Sequence, residues 1–281
     1  MKVHIFYRHY NSSNEEANGK DVVGTTFFDY DGKVKEIKPF RPKFFNFENC
    51  WKNLLQTIEG RDDVVIHLIM DGDIEESFMS KYKDKFILHT IKAGSDQKSF
   101  NKTWEIAKSV ETSDDDIFYF LENDYLHVSY WVDHLKAIFE QTDKMLHYVS
   151  LYDHNDKYIL QLYDNLISKI SVVKFKNSRG NIVDQHWRST PSTCGSFAVN
   201  KQLFEADYDI QTTYDGDHEK FLHLNKKRSR GIWSPIPSLS THMVDGLLSP
   251  VIDWYNYSKQ AEKYGKVKKL NPIIKNEKNK I

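Results

Sequence analysis

Three observations predict an α/β fold. Over the first 125 residues, apolar runs of strand length alternate with helix-periodic segments, the pattern of a largely parallel sheet. Those runs stop at polar or acidic groups, namely Arg8–Asn11, Asp71 and Glu122–Asp124. Ligands of parallel sheets sit beyond the carboxyl ends of the strands, where these groups fall. From residue 126 onward, hairpin signals and proline-bearing extended segments replace the alternation, so a second, mixed half follows.

Each element has its own justification. KVHIFYRHYN reads as a core strand running into a polar turn at Arg8–Asn14, and VVGTTFFDY and KVKEI form a hairpin around the turn dipeptide Asp31-Gly32. Phe47, Cys50, Trp51, Leu54, Leu55 and Ile58 recur at helical spacing, with Asn46 as N-cap. DVVIHLIMDGD is an apolar strand ending in an acidic turn, and FILHTIKAG is the next strand. Phe100, Trp104, Ala107 and Val110 mark a helix capped by Ser95, Asp96 or Ser99, before the strand in DDDIFYFLENDY. In the second half, Trp131, Leu135, Ile138 and Phe139 give a helix before the strand HYVSLYDH. ISVVKFKNSRGNIVDQHW is a hairpin turned at Arg179-Gly180, TCGSFAVN is a strand, and a helix starts near Asp217. WSPIPSLSTHM is extended because its prolines forbid helix.

Composition narrows the function. The 281 residues carry 39 basic and 40 acidic groups, a net of −1, against a chain built to coat nucleic acid. Hydrophobic residues at 40% and aromatics at 14% exclude a disordered chain. Cys50 and Cys194 form no CxxC or metal-ligand spacing, which points to a reducing compartment. The N-terminus lacks the apolar core of a signal peptide and no window reaches a membrane span, so a soluble, cytoplasmic protein is expected. Between residues 261 and 281 stand seven Lys and two Glu. Such a tail could hold the chain peripherally at anionic lipid; a frayed terminus is the plainer reading.

The sharpest chemical signal is Phe118-Tyr119-Phe120-Leu121-Glu122-Asn123-Asp124. A buried strand delivering two carboxylates, one residue apart, suits a divalent cation that keeps positions open for phosphate oxygens. A solvated acidic turn is the bland alternative. Around it stand Tyr10-Asn11 after the first strand, Asp71 after the second, and Gly94 with Ser99-Phe100-Asn101 at a helix start. This order resembles the nucleotide-binding half of the GT-A glycosyltransferases, a Rossmann-like half abutting a smaller mixed-sheet acceptor half. SLYDHNDKY, HWRSTPSTCGSFAVN, ENDYLH, Asp217-His218-Glu219 and the Ser-Pro-Ile-Pro…Ser-Thr-His segment resemble a bacterial group of such enzymes. The resemblance spans residues 2–255, without the hairpin around 15–40 and without the tail, and implies one GT-A unit over residues 1–260 with halves 1–125 and 126–260.

By that resemblance, Asp71 takes the nucleotide base and Tyr10 borders it. Asp124 binds Mn²⁺ or Mg²⁺ beneath the diphosphate, with Glu122 nearby and His242 as the C-terminal metal histidine. Asn101 and Asn123 flank the donor, and Gly195, in Thr193-Cys194-Gly195-Ser196, borders the donor sugar. Asp217 matches the base of inverting enzymes, with Glu219 or Asp215 as substitutes; it could equally cap its helix. Phe100 stands where the family has Arg, so a phosphate or ribose contact passes to Lys98 or Arg8. His186, Trp187 and Arg188 are candidates for the acceptor site, Trp187 being as readily a core residue. Lys226, Lys227, Arg228 and Arg230 could touch the diphosphate or cover a solvated helix end. The implied activity is sugar transfer from a nucleotide donor, UDP-linked in the first instance, to a glycan or glycolipid hydroxyl. Rival readings are a non-catalytic carbohydrate-binding module using its Tyr and Trp as platforms, and a sugar nucleotidyltransferase. The latter normally has a Gly-rich, Arg-containing loop directly after the first strand, where FYRHYNSSN has no glycine.

Overall fold

A computed structural model describes residues 1–11, 25–28, 34–37, 41–140, 148–154, 169–190 and 193–265. In chain order the first half holds β1 (Val3–Tyr10), β2 (Thr25–Phe28), β3 (Val34–Ile37), α1 (Phe47–Thr57), β4 (Val64–Asp71), β5 (Ile87–Ile91), α2 (Asp96–Ser109) and β6 (Ile117–Glu122). Then come β7 (Tyr125–His127), α3 (Trp131–Glu140), β8 (Tyr148–Val149), β9 (Ile170–Lys176), β10 (Ile182–Thr190), β11 (Phe197–Asn200), α4 (Lys201–Thr213), α5 (Asp217–Arg228), β12 (Ile232–Ile236), β13 (Ser240–His242) and α6 (Trp254–Ala261).

Nine strands form one sheet in the order β5-β4-β1-β6-β11-β8-β12-β10-β9. The four strands from β5 to β6 are parallel, and β11 then runs antiparallel to both β6 and β8. The chain is therefore α/β, with a Rossmann-like four-stranded parallel half continuing into a five-stranded mixed half. β2 pairs with β3 as the predicted hairpin, although its turn at Asp31-Gly32 lies outside the described residues. A separate ribbon pairs β13 with β7, setting His242 opposite Tyr125.

Strand alternation sorts the core into two layers. Val3, Ile5 and Tyr7 face one layer, with Trp51 and Leu54 of α1, Trp131 of α3 and Trp254 of α6. Phe6, Phe118 and Phe120 face the other, with Trp104 of α2, Phe204 of α4 and Phe221 of α5. Trp104 is sandwiched there, stacked on Phe120 at 4.9 Å and on Phe204 at 4.5 Å. Removing such a ring costs about 3–5 kcal/mol. The same alternation puts Arg8 and Glu122 side by side, since they are register partners at the ends of β1 and β6.

Asn46 and Ser95 cap α1 and α2 through side-chain oxygens, as the sequence implies. Other expectations need correction. β1 runs through Tyr10, so Arg8 and His9 are buried strand residues and not part of a polar turn. The strand expected in HYVSLYDH is only Tyr148–Val149, because the chain then leaves the sheet to hydrogen-bond Leu239 and Ser240 at the Leu151 carbonyl. α4 had no counterpart in the sequence reading. Trp187 is fully buried in the core. Among the described residues no helix is long and apolar enough to cross a membrane, and residues 266–281 of the basic tail lie outside them.

Candidate functional site

β6 ends at Glu122, and a two-residue turn, Asn123-Asp124, carries the chain into β7, so Asp124 stands on the turn itself. The turn is braced through Asn123, whose carbonyl accepts from Tyr7 Oη at 3.3 Å and whose amide donates to His9 Nδ1 at 3.0 Å. His242 arrives from β13 and stacks on Tyr125, ring centres 5.0 Å apart and planes nearly parallel at 6°. One ligand atom from each of Glu122, Asp124 and His242 then lies within 4.8 Å of the others.

The charges are interlocked. Asp124 Oδ2 accepts from His242 Nε2 at 2.9 Å and pairs with Arg41 Nη2 at 2.7 Å, while Oδ1 is buried with no hydrogen-bond partner among the described residues. Glu122 Oε1 meets Arg8 Nη2 at 2.6 Å, and Arg8 also reaches Asp96 at 2.8 Å. Against the cost of burial, the His242 ring and the Arg41 guanidinium hold the Asp124 carboxyl below its ordinary range. Burial raises the Glu122 carboxyl; Arg8 opposes the rise and the Asp124 charge adds to it. Burial would lower His242, but the adjacent Asp124 and the Glu122 charge together raise it.

The loop from Thr193 to Ser196 closes over this cluster. Tyr125 Oη donates to the Cys194 carbonyl at 2.7 Å, and the Glu122 N–H donates to Ser196 Oγ at 3.1 Å. Gly195 sits at φ +79°, and a Cβ there would come within 2.6 Å of the Glu122 carboxylate. Only glycine lets this backbone lie on that side chain. Two residues earlier, Thr193 donates to Asp217 from its N–H at 2.9 Å and from Oγ1 at 2.6 Å. The N-cap of α5 is Gly216, without a side-chain cap, so Asp217 does not cap its own helix and is turned to the loop. One turn later, Lys220 is buried, with Nζ 3.5 Å from the centre of the Phe100 ring and 3.2 Å from Gln97 Oε1. Burial lowers it to about 8, with Asp217 resisting the change.

Arg8 lies 5.6 Å from the same Phe100 ring, so two cations, Arg8 and Lys220, converge where the family resemblance places one arginine. Lys98 is exposed on the first turn of α2 and has no hydrogen bond or ion pair to these groups among the described residues. Asn101 accepts from Gln97 at 2.8 Å and donates to the Thr212 carbonyl at 3.4 Å, tying α2 to α4. Tyr10 is exposed beside Asp71, its register partner, and Asp71 accepts from the Ala93 N–H at 3.3 Å. Glu219 and Asp215 are exposed, and Arg188 is paired with the buried Asp153. Arg228 and Arg230 are spent on Asp207, and Lys227 donates to Tyr214 Oη.

Sequence reasoning missed Arg41, Lys220 and the bond from Thr193 to Asp217. Arg41 stands 83 positions from Asp124 and carries no local signal. Lys220 could have been found as the third residue after Asp217, on the same face of the predicted helix.

No family model matches the chain, and no curated protein matches it. Among solved structures it is similar to the inositol-1-phosphate CTP transferase of T. maritima, at 14% identity over 94% of this chain and 97% of that one, TM-score 0.43. It is similar to a CMP:2-keto-3-deoxy-manno-octonic acid synthetase in complex with CTP, at 12% identity over 94% and 100%, TM-score 0.46. It is also similar to residues 1–349 of S. aureus TarS, at 14% identity over 83% of this chain and 58% of that one, TM-score 0.41.

Proposed function

We propose that the chain is a metal-dependent glycosyltransferase. It would move a sugar from a nucleotide donor, UDP being the first to test, to a glycan or glycolipid hydroxyl with inversion. The observation that carries this reading is the cluster Glu122–Asp124–His242 at the carboxyl end of a parallel strand, with an unpartnered Asp124 oxygen inside it. A buried carboxylate oxygen without a donor is costly unless something is meant to bind it. These residues would hold Mn²⁺ or Mg²⁺, which supplies charge against the leaving diphosphate when bound.

The chain's own groups account for the remaining chemistry. Arg8 and Lys220 would present positive charge at Phe100 for the phosphate oxygens, from buried positions where charge acts strongly. Asp71 and Tyr10 border the nucleotide base. Asp217 takes the proton of the acceptor hydroxyl as that oxygen attacks the anomeric carbon. Thr193 orients its carboxylate through two donors, and accepting the proton loosens one of them.

The test is thermal stability against UDP, GDP, CMP and dTDP, each with and without Mn²⁺. Ligand at 100 times its dissociation constant adds about 2.7 kcal/mol. A shift that requires both one nucleoside diphosphate and Mn²⁺ is expected; no shift with any of them overturns the reading. The converging Arg8 and Lys220 favour a second reading, nucleotidyl transfer, because paired cations suit three phosphates as well as two. Pyrophosphate release from CTP and a sugar phosphate, without sugar transfer from a nucleotide sugar, would select it.

A further inference from the structure

The carboxylate at the centre of the cluster already has a cation. Arg41 Nη2 lies 2.7 Å from Asp124 Oδ2, the oxygen that His242 also contacts. This guanidinium is built in: it is only 15% exposed, and its Nη1 donates to the Met243 carbonyl at 3.0 Å. Its carbon sits 4.6 Å from the Phe45 ring centre and 5.9 Å from that of Phe47. Met243 directly follows His242, so Arg41 is anchored to the segment that delivers the histidine. With Arg8 on Glu122, both acidic members of the cluster are neutralised from within the chain.

We propose that Arg41 is a resident competitor for the divalent cation at Asp124, a role that rests on the metal reading given above. Two cations sharing one carboxylate repel strongly in a partly dry site. A metal at Oδ1 therefore works against the guanidinium on Oδ2, which can fall back on the Met243 carbonyl and the Phe45 face, both of which it already touches. The free protein then holds metal weakly, and the metal enters together with the nucleoside diphosphate. The added negative charge and phosphate oxygens tip the balance. Arg41 thus couples metal occupancy to donor occupancy and offsets the Asp124 charge between turnovers.

The experiment is a Mn²⁺ titration of the whole chain without nucleotide, followed by calorimetry and by the electron paramagnetic resonance of free Mn²⁺. It is then repeated with UDP. Arg41→Gln removes the charge but keeps a donor for the Met243 carbonyl, and Arg41→Lys keeps the charge. The expected result is that Arg41→Gln tightens Mn²⁺ tenfold or more without nucleotide and narrows the gain that UDP brings. Arg41→Lys stays within threefold of the parent chain. Should Arg41→Gln fold poorly, Arg41→Met is read in the same way. An unchanged or weakened Mn²⁺ affinity in folded Arg41→Gln overturns the proposal while leaving the metal site standing. If neither the parent nor any variant holds Mn²⁺ with or without UDP, the proposal and the metal reading fall together. Metal-free nucleotide binding then judges the donor site separately.

Discussion

Asp124 and Asp207 are both buried and both are met by guanidinium groups, but their oxygens are used differently. Asp207, fully buried in α4, accepts from Arg228 at 2.9 Å, from Arg230 at 3.0 Å and from Tyr148 Oη at 3.0 Å, so both oxygens are occupied. Asp124 gathers His242 and Arg41 on one oxygen and leaves the other without a partner among the described residues. The first arrangement is complete and pins α5 to α4. The second leaves one carboxylate oxygen open. Buried ion pairs are weak evidence of purpose, and the distribution of partners over the two oxygens is what separates a brace from a site.

The largest effect that sharpens this contrast belongs to a neighbour of the incomplete cluster. Asp217→Asn should lower sugar transfer by about 10²–10⁴-fold while nucleotide affinity stays unchanged, read by steady-state rates beside calorimetric binding. Near-parent turnover would show that another group takes the proton. Next, Asp124→Asn should abolish Mn²⁺-dependent stabilisation by nucleotide, read by thermal shift with and without the metal. Asp207→Asn should do the opposite. It should cost about 3 kcal/mol in denaturant unfolding, moderated because Arg228 and Arg230 are partly exposed, and leave nucleotide affinity intact. If the two variants behaved alike, the contrast would be broken. Gly195→Ala should push the Glu122 carboxylate aside and weaken Mn²⁺ binding by about tenfold, on the scale of disturbing the support of a metal ligand.

A further effect concerns a row of histidines in the parallel half of the sheet. His4, His67 and His89 form a row across β1, β4 and β5, with nitrogens 3.2 and 3.1 Å apart, and His4 lies 3.4 Å from Asp116. Burial lowers His67 to about 4, and burial lowers His4 and His89 as well. The unfolded chain therefore binds more protons than the folded one between pH 6.5 and about 4. Stability is full above 6.5 and falls through that window, by about 2–3 kcal/mol from His67 alone. Denaturant midpoints from pH 7 to 4.5 should show the fall, and His67→Gln should flatten it.

These comparisons also show what the sequence could reveal. FYFLEND was legible because an apolar run that ends in two carboxylates is a local pattern. The helix α4 was not, because its buried stripe is Phe204, Asp207, Ile210 and Gln211, half of it polar. Periodicity searches look for apolar residues, and a helix that faces the core with an ion network hides from them. Lys220 was hidden by the same rule, since a lysine in DHEKFLHL reads as solvent-facing until Phe100 is folded against it. Arg41 was invisible for a different reason, because its meaning is a contact made only in three dimensions. Gly195 could be singled out but not explained until the Glu122 carboxylate was found beneath it.

The ribbon of β7 and β13 works as a ruler. Its three pairs, Ser240 with His127, Thr241 with Leu126 and His242 with Tyr125, set where along the chain an imidazole can stand over Asp124. Neighbouring positions on a strand point to opposite sides, so losing one residue between Pro237 and Ser240 would bring Met243 opposite Tyr125 and turn the histidine away. The short span before Ser240 should tolerate no change of length. Natural drift in this protein should therefore spare the spacing of that span more strictly than its residue types.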